Sequence, residues 1–279
     1  MKPAPLPVRD LPPERCRALA TLLTDVDDTL TTDGLLPAST FQALWALSEA
    51  GVRTLVVTGR PAGWCDHIAR MWPVAGVVGE NGSLIYAYDR PARRMRRTYL
   101  LRETERLEAR RRLERIRERV LREVPSCAIA ADQPFRLADL AVDFREDVGP
   151  LSQEEVREIC RIMESEGAVY KVSSIHINCW FGDFDKVKGV RRFLADGGED
   201  LDDPRVQGAV LFMGDSPNDE PLFRALQATI GVANIRPFLG SLEHPPAYIT
   251  QAEAAAGFAE AVDIILRHRG RSPIPRPPR

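Results

Sequence analysis

The chain has 279 residues, 44% of them apolar, enough for one large domain or two modest ones with a substantial core. Its 38 Lys and Arg nearly balance 40 Asp and Glu, for a formal net charge of −2, so nothing global points to nucleic acid or an anionic membrane surface as a partner. Five scattered cysteines (Cys16, Cys65, Cys127, Cys160, Cys179) form no CxxC pair, and no run approaches the ~18 apolar residues of a membrane span. These features predict a cytoplasmic protein with reduced thiols and no zinc site.

Met1 to Pro13 and Arg271 to Arg279 are rich in Pro and Arg and are expected to be disordered. Leu19 to Thr24 reads as a buried strand that ends in Asp25-Val26-Asp27-Asp28-Thr29. Phe41, Leu44, Trp45 and Leu47 recur at helical spacing, with Gly51 as the stop. Arg53 to Val57 is a second strand, ending in Thr58-Gly59-Arg60. Pro61 opens a helix through Ala69, and Val74 to Val78 is a third strand, closed by Glu80-Asn81-Gly82. Strands alternating with helices at this spacing predict a parallel sheet with right-handed crossovers.

The pattern changes after Tyr86. Ser83 to Tyr88 and Met95 to Leu101 flank a basic turn and suggest a hairpin. A long charged helix follows over Arg102 to Val124, with pairs such as Glu108 and Arg112 or Glu118 and Arg122 on its outer face. Arg136 to Phe144 is a candidate strand, Ser152 to Glu166 a helix with a Ser152/Glu155 capping box, and Val169 to Cys179 one alternating strand. This stretch predicts an antiparallel sheet backed by two helices. Lys186 to Leu194 is helical again. Ala209 to Met213 is a buried strand ending in Gly214-Asp215-Ser216-Pro217-Asn218-Asp219, and a helix, two short strands and a final helix (Ala252 to Arg267) close the chain. The fold class expected is α/β: a Rossmann-like doubly wound core over 1–86 and 186–279, with an inserted α/β cap over 87–185.

The acidic and basic strand ends carry the chemistry. In an open parallel sheet, ligands bind beyond the carboxyl ends of the strands, where Asp25, Thr58 and Asp215 would converge. Clustered carboxylates without His or Cys favour a hard, oxygen-seeking cation such as Mg²⁺. One carboxylate can attack phosphorus, and a second, two residues on, can protonate the leaving oxygen. There is no GxxxxGK[ST] phosphate loop, and the Asp25 segment fails as a calcium loop because Leu30 and Leu36 stand where Gly and Glu are needed.

In that order, Asp-x-Asp-x-Thr, a strand-end Thr, an isolated Lys and Gly-Asp-x-x-Asn-Asp resemble the haloacid dehalogenase superfamily of phosphohydrolases. The insertion between the Thr and the Lys, and Glu80-Asn81-Gly82 before it, are similar to its type IIB branch. The resemblance implies Asp25 as nucleophile and Mg²⁺ ligand, and Asp27 as general acid/base whose carbonyl also binds the metal. It makes Asp215 the further ligand, with Asn218 and Asp219 supporting the metal site and Lys186. Thr58 and Lys186 would hold the phosphate, with Gly59 and Asn81 beside them. Arg60 falls either near the phosphate or on the surface. The chain reads Asp185-Lys186-Val187-Lys188-Gly189 where the family has Lys-Gly; Lys186 is preferred because Val190 and Phe193 then take the helix's apolar positions. Asp28 stands where relatives often have Gly. Ser174, His176 and Asn178 share one face of the alternating strand, which in type IIB caps roofs the active site, so contact with the leaving group or with solvent is equally expected. Trp64 reads as core and Cys65 as lacking an activating base. The expected function is a Mg²⁺-dependent phosphatase of a small phosphorylated metabolite, with a phosphomutase of the phosphomannomutase type or a non-catalytic metabolite-binding protein as alternatives.

Overall fold

The computed structural model describes residues 4–173 and 175–271. The expected position of Ser174, the N-terminal tripeptide and most of the Arg-rich C-terminal tail lie outside the described residues. The rest of the N-terminal segment departs from the expectation of disorder. Leu6–Pro7 form a short strand, β1, and Pro13–Ala18 a helix, α1. The cause is apolar: Val8, Leu11 and Cys16 are each 1% exposed. The edge of a sheet tolerates Pro7, which lacks an N–H. Arg269 fastens the segment from the other end of the chain, donating to the carbonyls of Cys16, Arg17 and Leu19 at 2.9 Å each.

Next in the chain come β2 (Thr21–Thr24), α2 (Ala38–Glu49), β3 (Arg53–Val57), α3 (Ala62–Met71), β4 (Gly76–Gly79), β5 (Leu84–Asp89) and β6 (Arg94–Tyr99). The inserted unit follows: α4 (Glu103–Glu123), β7 (Ala128–Ile129), β8 (Asp139–Asp143), α5 (Gln153–Ser165), β9 (Val169–Val172) and β10 (His176–Trp180). The chain then returns through α6 (Lys186–Asp196), α7 (Pro204–Ala209), β11 (Val210–Gly214), α8 (Glu220–Ala225), β12 (Thr229–Gly231), β13 (Tyr248–Ile249) and α9 (Ala254–His268).

The large sheet runs β1-β13-β12-β11-β2-β3-β4-β5-β6 and is parallel from β1 through β4. Successive residues serve opposite faces. Leu22, Val56, Leu211 and Met213 pack under α2, α3 and α9, while Leu23, Leu55, Val57 and Phe212 pack under α6 and α8. This two-sided burial explains why the central strands read as continuous apolar runs. Each fully buried Leu or Phe contributes about 1.5–3 kcal/mol relative to exposure. The β5–β6 hairpin extends this sheet antiparallel at its edge and is not part of the inserted sheet. The inserted unit therefore starts later than position 87, near α4. Arg90 of the basic turn and Arg97 of β6 are structural, donating to Arg70 and Trp72 carbonyls and to Asp66 respectively.

The smaller sheet, β7-β8-β10-β9, is antiparallel throughout. Leu140, Val142, Ile177 and Cys179 face α4 and α5, whose Leu113, Ile116, Val120, Ile159, Ile162 and Met163 complete a second core. The stretch from Val169 to Cys179 is a hairpin and not the single strand expected. Ser173 closes the turn, its hydroxyl oxygen accepting His176 N–H at 3.0 Å. On α4 the expected pairs do not form, because Arg112 turns inward over the Phe181 ring at 3.6 Å and Arg122 pairs with Glu123. Leu100 and Leu101 before α4 pack with Ala138, Trp180 and Phe184 in one apolar cluster, so both connections between the units pass through it. Among the described residues, no helix is long and apolar enough to cross a membrane.

Candidate active site

The end of β2 places Asp25 beside the end of β11, where Asp25 N–H donates to Met213 O at 3.0 Å. A tight loop follows, in which Val26 O accepts the N–H groups of Thr29, Leu30 and Thr31. Asp28 sits in this loop at φ +53°, a conformation that glycine adopts freely and Asp tolerates.

At the end of β11, Gly214 leaves room for Asp219: an added Cβ would lie 2.4 Å from its Oδ2. Asp215 N–H donates to that oxygen at 2.9 Å. Asp215 is itself held by the Thr29 hydroxyl at 3.3 Å and by Asn234 Nδ2 at 3.2 Å. Lys186 opens α6, capped by Asp185, whose side chain accepts Lys188 N–H at 2.7 Å. Gly189 lets α6 approach, since a Cβ there would lie 2.4 Å from Val78 Cγ1. Lys186 Nζ consequently sits 2.8 Å from Asp219 and 3.3 Å from Asp25, almost fully buried. Lys188 points outward and pairs with Asp183.

One carboxylate oxygen from each of Asp25, Asp215 and Asp219 lies within 4.8 Å of the others. Three buried carboxylates face one ammonium, an excess of negative charge that a low-dielectric site does not sustain unaided. Burial pushes Asp25 up to about 7, against the pull of Lys186, with Asp219 and Asp27 adding to the rise. Asp215 is raised well above the carboxylate range by burial first, then by Asp219 and Asp25. Burial alone would lower Lys186, but Asp219 and Asp25 outweigh it and hold it charged. A hard divalent cation fits this donor set. The Asp27 carboxylate, by contrast, turns away from the cluster to Arg60, with contacts of 2.8–3.1 Å to Nε and Nη2.

Thr58 is fully buried, its hydroxyl oxygen accepting Arg60 N–H at 3.1 Å, and Gly59 and Arg60 line the crevice wall. Asn81 N–H donates to Thr58 O at 3.1 Å, while its buried Nδ2 has no partner and lies on the same wall. Asn218 lines the crevice opposite. Arg60 is 4% exposed, which excludes the surface alternative. Its guanidinium lies 4.3 Å over Trp64, and that ring is 40% exposed and so not core as expected. Cys65 is fully buried, and burial raises its thiol well above the usual range.

The roof is the polar face of the small sheet. His176 and Asn178 lie on it, with Asn178 Nδ2 donating to Asp139 at 2.9 Å and His176 Nε2 2.9 Å from Glu146. Roof and floor touch through long side chains. Arg60 Nη2 reaches Glu146 at 3.0 Å, and Arg136 Nη1 donates to Gly59 O at 2.9 Å. Arg136, Asp139, Glu146 and Asn234 carried no recognisable motif. Arg136 opens the candidate strand and Asp139 lies within it, a placement that marks neither as part of a site. Between floor and roof about 30 Å³ is left, room for a water or two.

A doubly wound core with carboxylates at its strand ends and a lysine at a helix start, roofed by an inserted cap, is a capped α/β architecture. A sequence model of the haloacid dehalogenase-like hydrolase family matches residues 22–104. That match covers under a third of the chain, and beyond it the likeness is one of fold: an α/β core carrying an inserted cap. Its fold is similar to the C-terminal domain of trehalose-6-phosphate phosphatase from C. albicans, with TM-score 0.71 and 13% identity over 97% of this chain and 99% of that one. The sucrose-phosphatase of Synechocystis sp. is also similar, with TM-score 0.59 and 16% identity over 88% and 97%. A subclass IIB sugar phosphatase matches with TM-score 0.56 and 14% identity over 83% and 93%. Among curated proteins, no sequence match is found.

Proposed function

We propose that this protein is a Mg²⁺-dependent phosphatase of a small phosphorylated metabolite, a sugar phosphate, acting through an aspartyl-phosphate on Asp25. One observation carries this reading: Asp25 lies in a buried three-carboxylate cluster, 3.3 Å from Lys186, under a roof of polar side chains. Asp25, Asp215 and the Asp27 carbonyl would hold the cation, with Asn218 and Asp219 in support. When bound, Mg²⁺ would neutralise charge on the transferring phosphoryl group.

Asp25 attacks phosphorus and the bond to the sugar oxygen breaks. Asp27, once it has left Arg60 and taken up a proton, gives that proton to the departing oxygen. Asp27, now ionised, takes a proton from water, whose oxygen attacks the phosphorus; inorganic phosphate departs and Asp25 is restored. Lys186, Thr58 and the unpartnered Asn81 amide donate to the phosphoryl oxygens, with charge placed where the transition state needs it. The cap sheet, through His176 and Asn178 and with Arg60 at its margin, takes the sugar. The closed crevice is too small for a sugar phosphate, so the cap must swing to admit it.

Hydrolysis is favoured over phosphoryl return to the sugar. A mutase has to seat a bisphosphate, and the arginines facing the crevice, Arg60 and Arg136, are already bound by Asp27, Glu146, Asp132 and Asp139. The deciding experiment is phosphate release from a panel of sugar phosphates, trehalose 6-phosphate and sucrose 6-phosphate among them, with Mg²⁺ and with chelator. Mg²⁺-dependent release that Asp25→Asn abolishes, with the fold intact by circular dichroism, is expected. Turnover retained by Asp25→Asn removes the nucleophile from this scheme.

A further inference from the structure

Glu80 takes no part in the chemistry above, yet it is fully buried between the two units. Its Oε1 accepts the N–H of Ala62, the first residue of α3, at 2.9 Å. The same oxygen accepts Leu137 N–H at 2.9 Å, and Oε2 accepts Ala138 N–H at 2.6 Å. Ala62 belongs to the core, whereas Leu137 and Ala138 are the residues of the cap that lead into β8. One carboxylate therefore joins a helix N-terminus of the core, where negative charge is favoured, to the root of the roof.

The surroundings show how this joint is aimed. Glu80 and Asn81 both have positive φ, +43° and +55°, a conformation that side chains other than glycine adopt only when held there. What holds them is the substrate wall: Glu80 N–H donates to Arg60 O and Asn81 N–H to Thr58 O, each at 3.1 Å. Gly82, next in the turn, lies so close to the Asp185 carbonyl that a Cβ would overlap it, which ties the turn to the residue before Lys186. On the cap side, Ala138 belongs to the apolar cluster of Trp180 and Phe184 through which both connections pass. Arg136, one residue before Leu137, donates to Gly59 O at 2.9 Å. The bonds of Glu80 thus land at the pivot of the cap, next to Asp139, which the roof residue Asn178 grips.

We propose that Glu80 is a positioning residue that seats the cap: its carboxylate fixes segment 137–138, and with it the roof, in register with the loop that holds the phosphate. This deepens the reading of the site as a capped phosphatase and rests on it. Both carboxylate oxygens face N–H donors, so Gln of the same size must turn an NH₂ toward one of them. Glu80→Gln should therefore loosen the register without emptying the space.

The test compares two phosphoesters under Mg²⁺. Glucose 6-phosphate, held by its phosphate on the floor, has a sugar large enough to reach the roof, and acetyl phosphate is too small to do so. For Glu80→Gln the expected result is a rise in KM of about tenfold for glucose 6-phosphate, with kcat/KM for acetyl phosphate changed less than about twofold. Equal losses on both would make Glu80 part of the phosphate site or of the general scaffold and overturn the proposal. Hydrogen exchange on the unmodified protein supplies a second, independent reading. The Leu137 and Ala138 amides should exchange as slowly as those of β8, and exchange at the rate of an exposed loop would sink the joint. A protein that turns over no phosphoester would remove the functional reading while the exchange rates still decide the fate of the joint.

Discussion

The floor and the roof of the crevice are held in place by different means. Each floor residue stands where a strand or helix begins or ends: Asp25 after β2, Asp215 after β11, Lys186 at the first position of α6. The parallel ladder fixes their separation, with Asp25 N–H on Met213 O and Val232 N–H on Gly214 O. The roof residues are held by one another. His176 leans on Glu146, Asn178 on Asp139, and Arg60 and Arg136 reach across from either unit. A site fixed by backbone can be rigid before anything binds, as charge stabilisation requires. A site fixed by side-chain pairs can be rebuilt each time the cap closes. Under the proposed function, the difference would give chemistry to the floor and selection to the roof, and it can be broken from either side.

The largest effect should come from the floor. Lys186→Ala leaves Asp25 and Asp219 buried without their counter-ion, which costs about 3–5 kcal/mol of stability. It also removes a donor to the transferring group, which lowers kcat by about 10²–10³. Lys188→Ala, whose ammonium sits on the surface with Asp183, should move stability by less than about 0.5 kcal/mol. Chemical denaturation with steady-state kinetics on the two variants measures both quantities. The reverse ranking would place the phosphate contact on the wrong lysine.

How much was legible in the sequence follows the same division. Asp25, Thr58 and Asp215 could be placed because an apolar run ending in a polar residue marks a strand end, and strand ends meet, whereas Lys186, at a helix start, rested on the family resemblance. The roof was legible only as an alternating pattern, which pointed to His176 and Asn178 but misread a hairpin as one strand. Alternation persists on both arms of a hairpin, and the Ser173 turn carries neither Gly nor Pro to mark it. Glu146 and Arg136 gave no local signal, because their roles depend on partners more than 70 residues away (Arg60 and Gly59). The N-terminal strand failed for a different reason. Its prolines dominated the composition and masked Val8, Leu11 and Cys16, which fill the space against α9.

An intermediate effect separates two buried or half-buried glutamates by pH. Burial, with Asp139 adding, raises Glu80 to about 7 despite three N–H donors. The folded chain thus keeps a proton that the unfolded chain has released, so this group's contribution falls as pH rises from about 4.5 to about 7, by about 3 kcal/mol at most. Glu146 runs the other way. The bond to His176, helped by Arg60, lowers it to about 2, so its contribution is full above about 4.5 and is lost as pH falls toward 2. Urea titrations of metal-free protein across pH 3 to 8 should show a shallower upper slope in Glu80→Gln, the remainder coming from the raised Asp25 and Asp215, and a shallower lower slope in Glu146→Ala. An unchanged upper slope in Glu80→Gln would mean that Glu80 is ionised throughout this range.

The smallest effect tests the roof directly. Glu146 bonds Arg60 and His176 at once, and its side chain is 32% exposed, so losing it removes one charge-assisted contact from a partly wet position. Glu146→Ala leaves Arg60 paired with Asp27 and Asp132, so the floor keeps its charge balance. The loss should therefore fall on substrate capture: KM for a sugar phosphate up by about tenfold, kcat for acetyl phosphate within about twofold. If acetyl phosphate suffers as much as the sugar phosphate, Glu146 acts through Arg60 on the Asp27 carboxylate, and the line between floor and roof runs through the arginine and not between the two units.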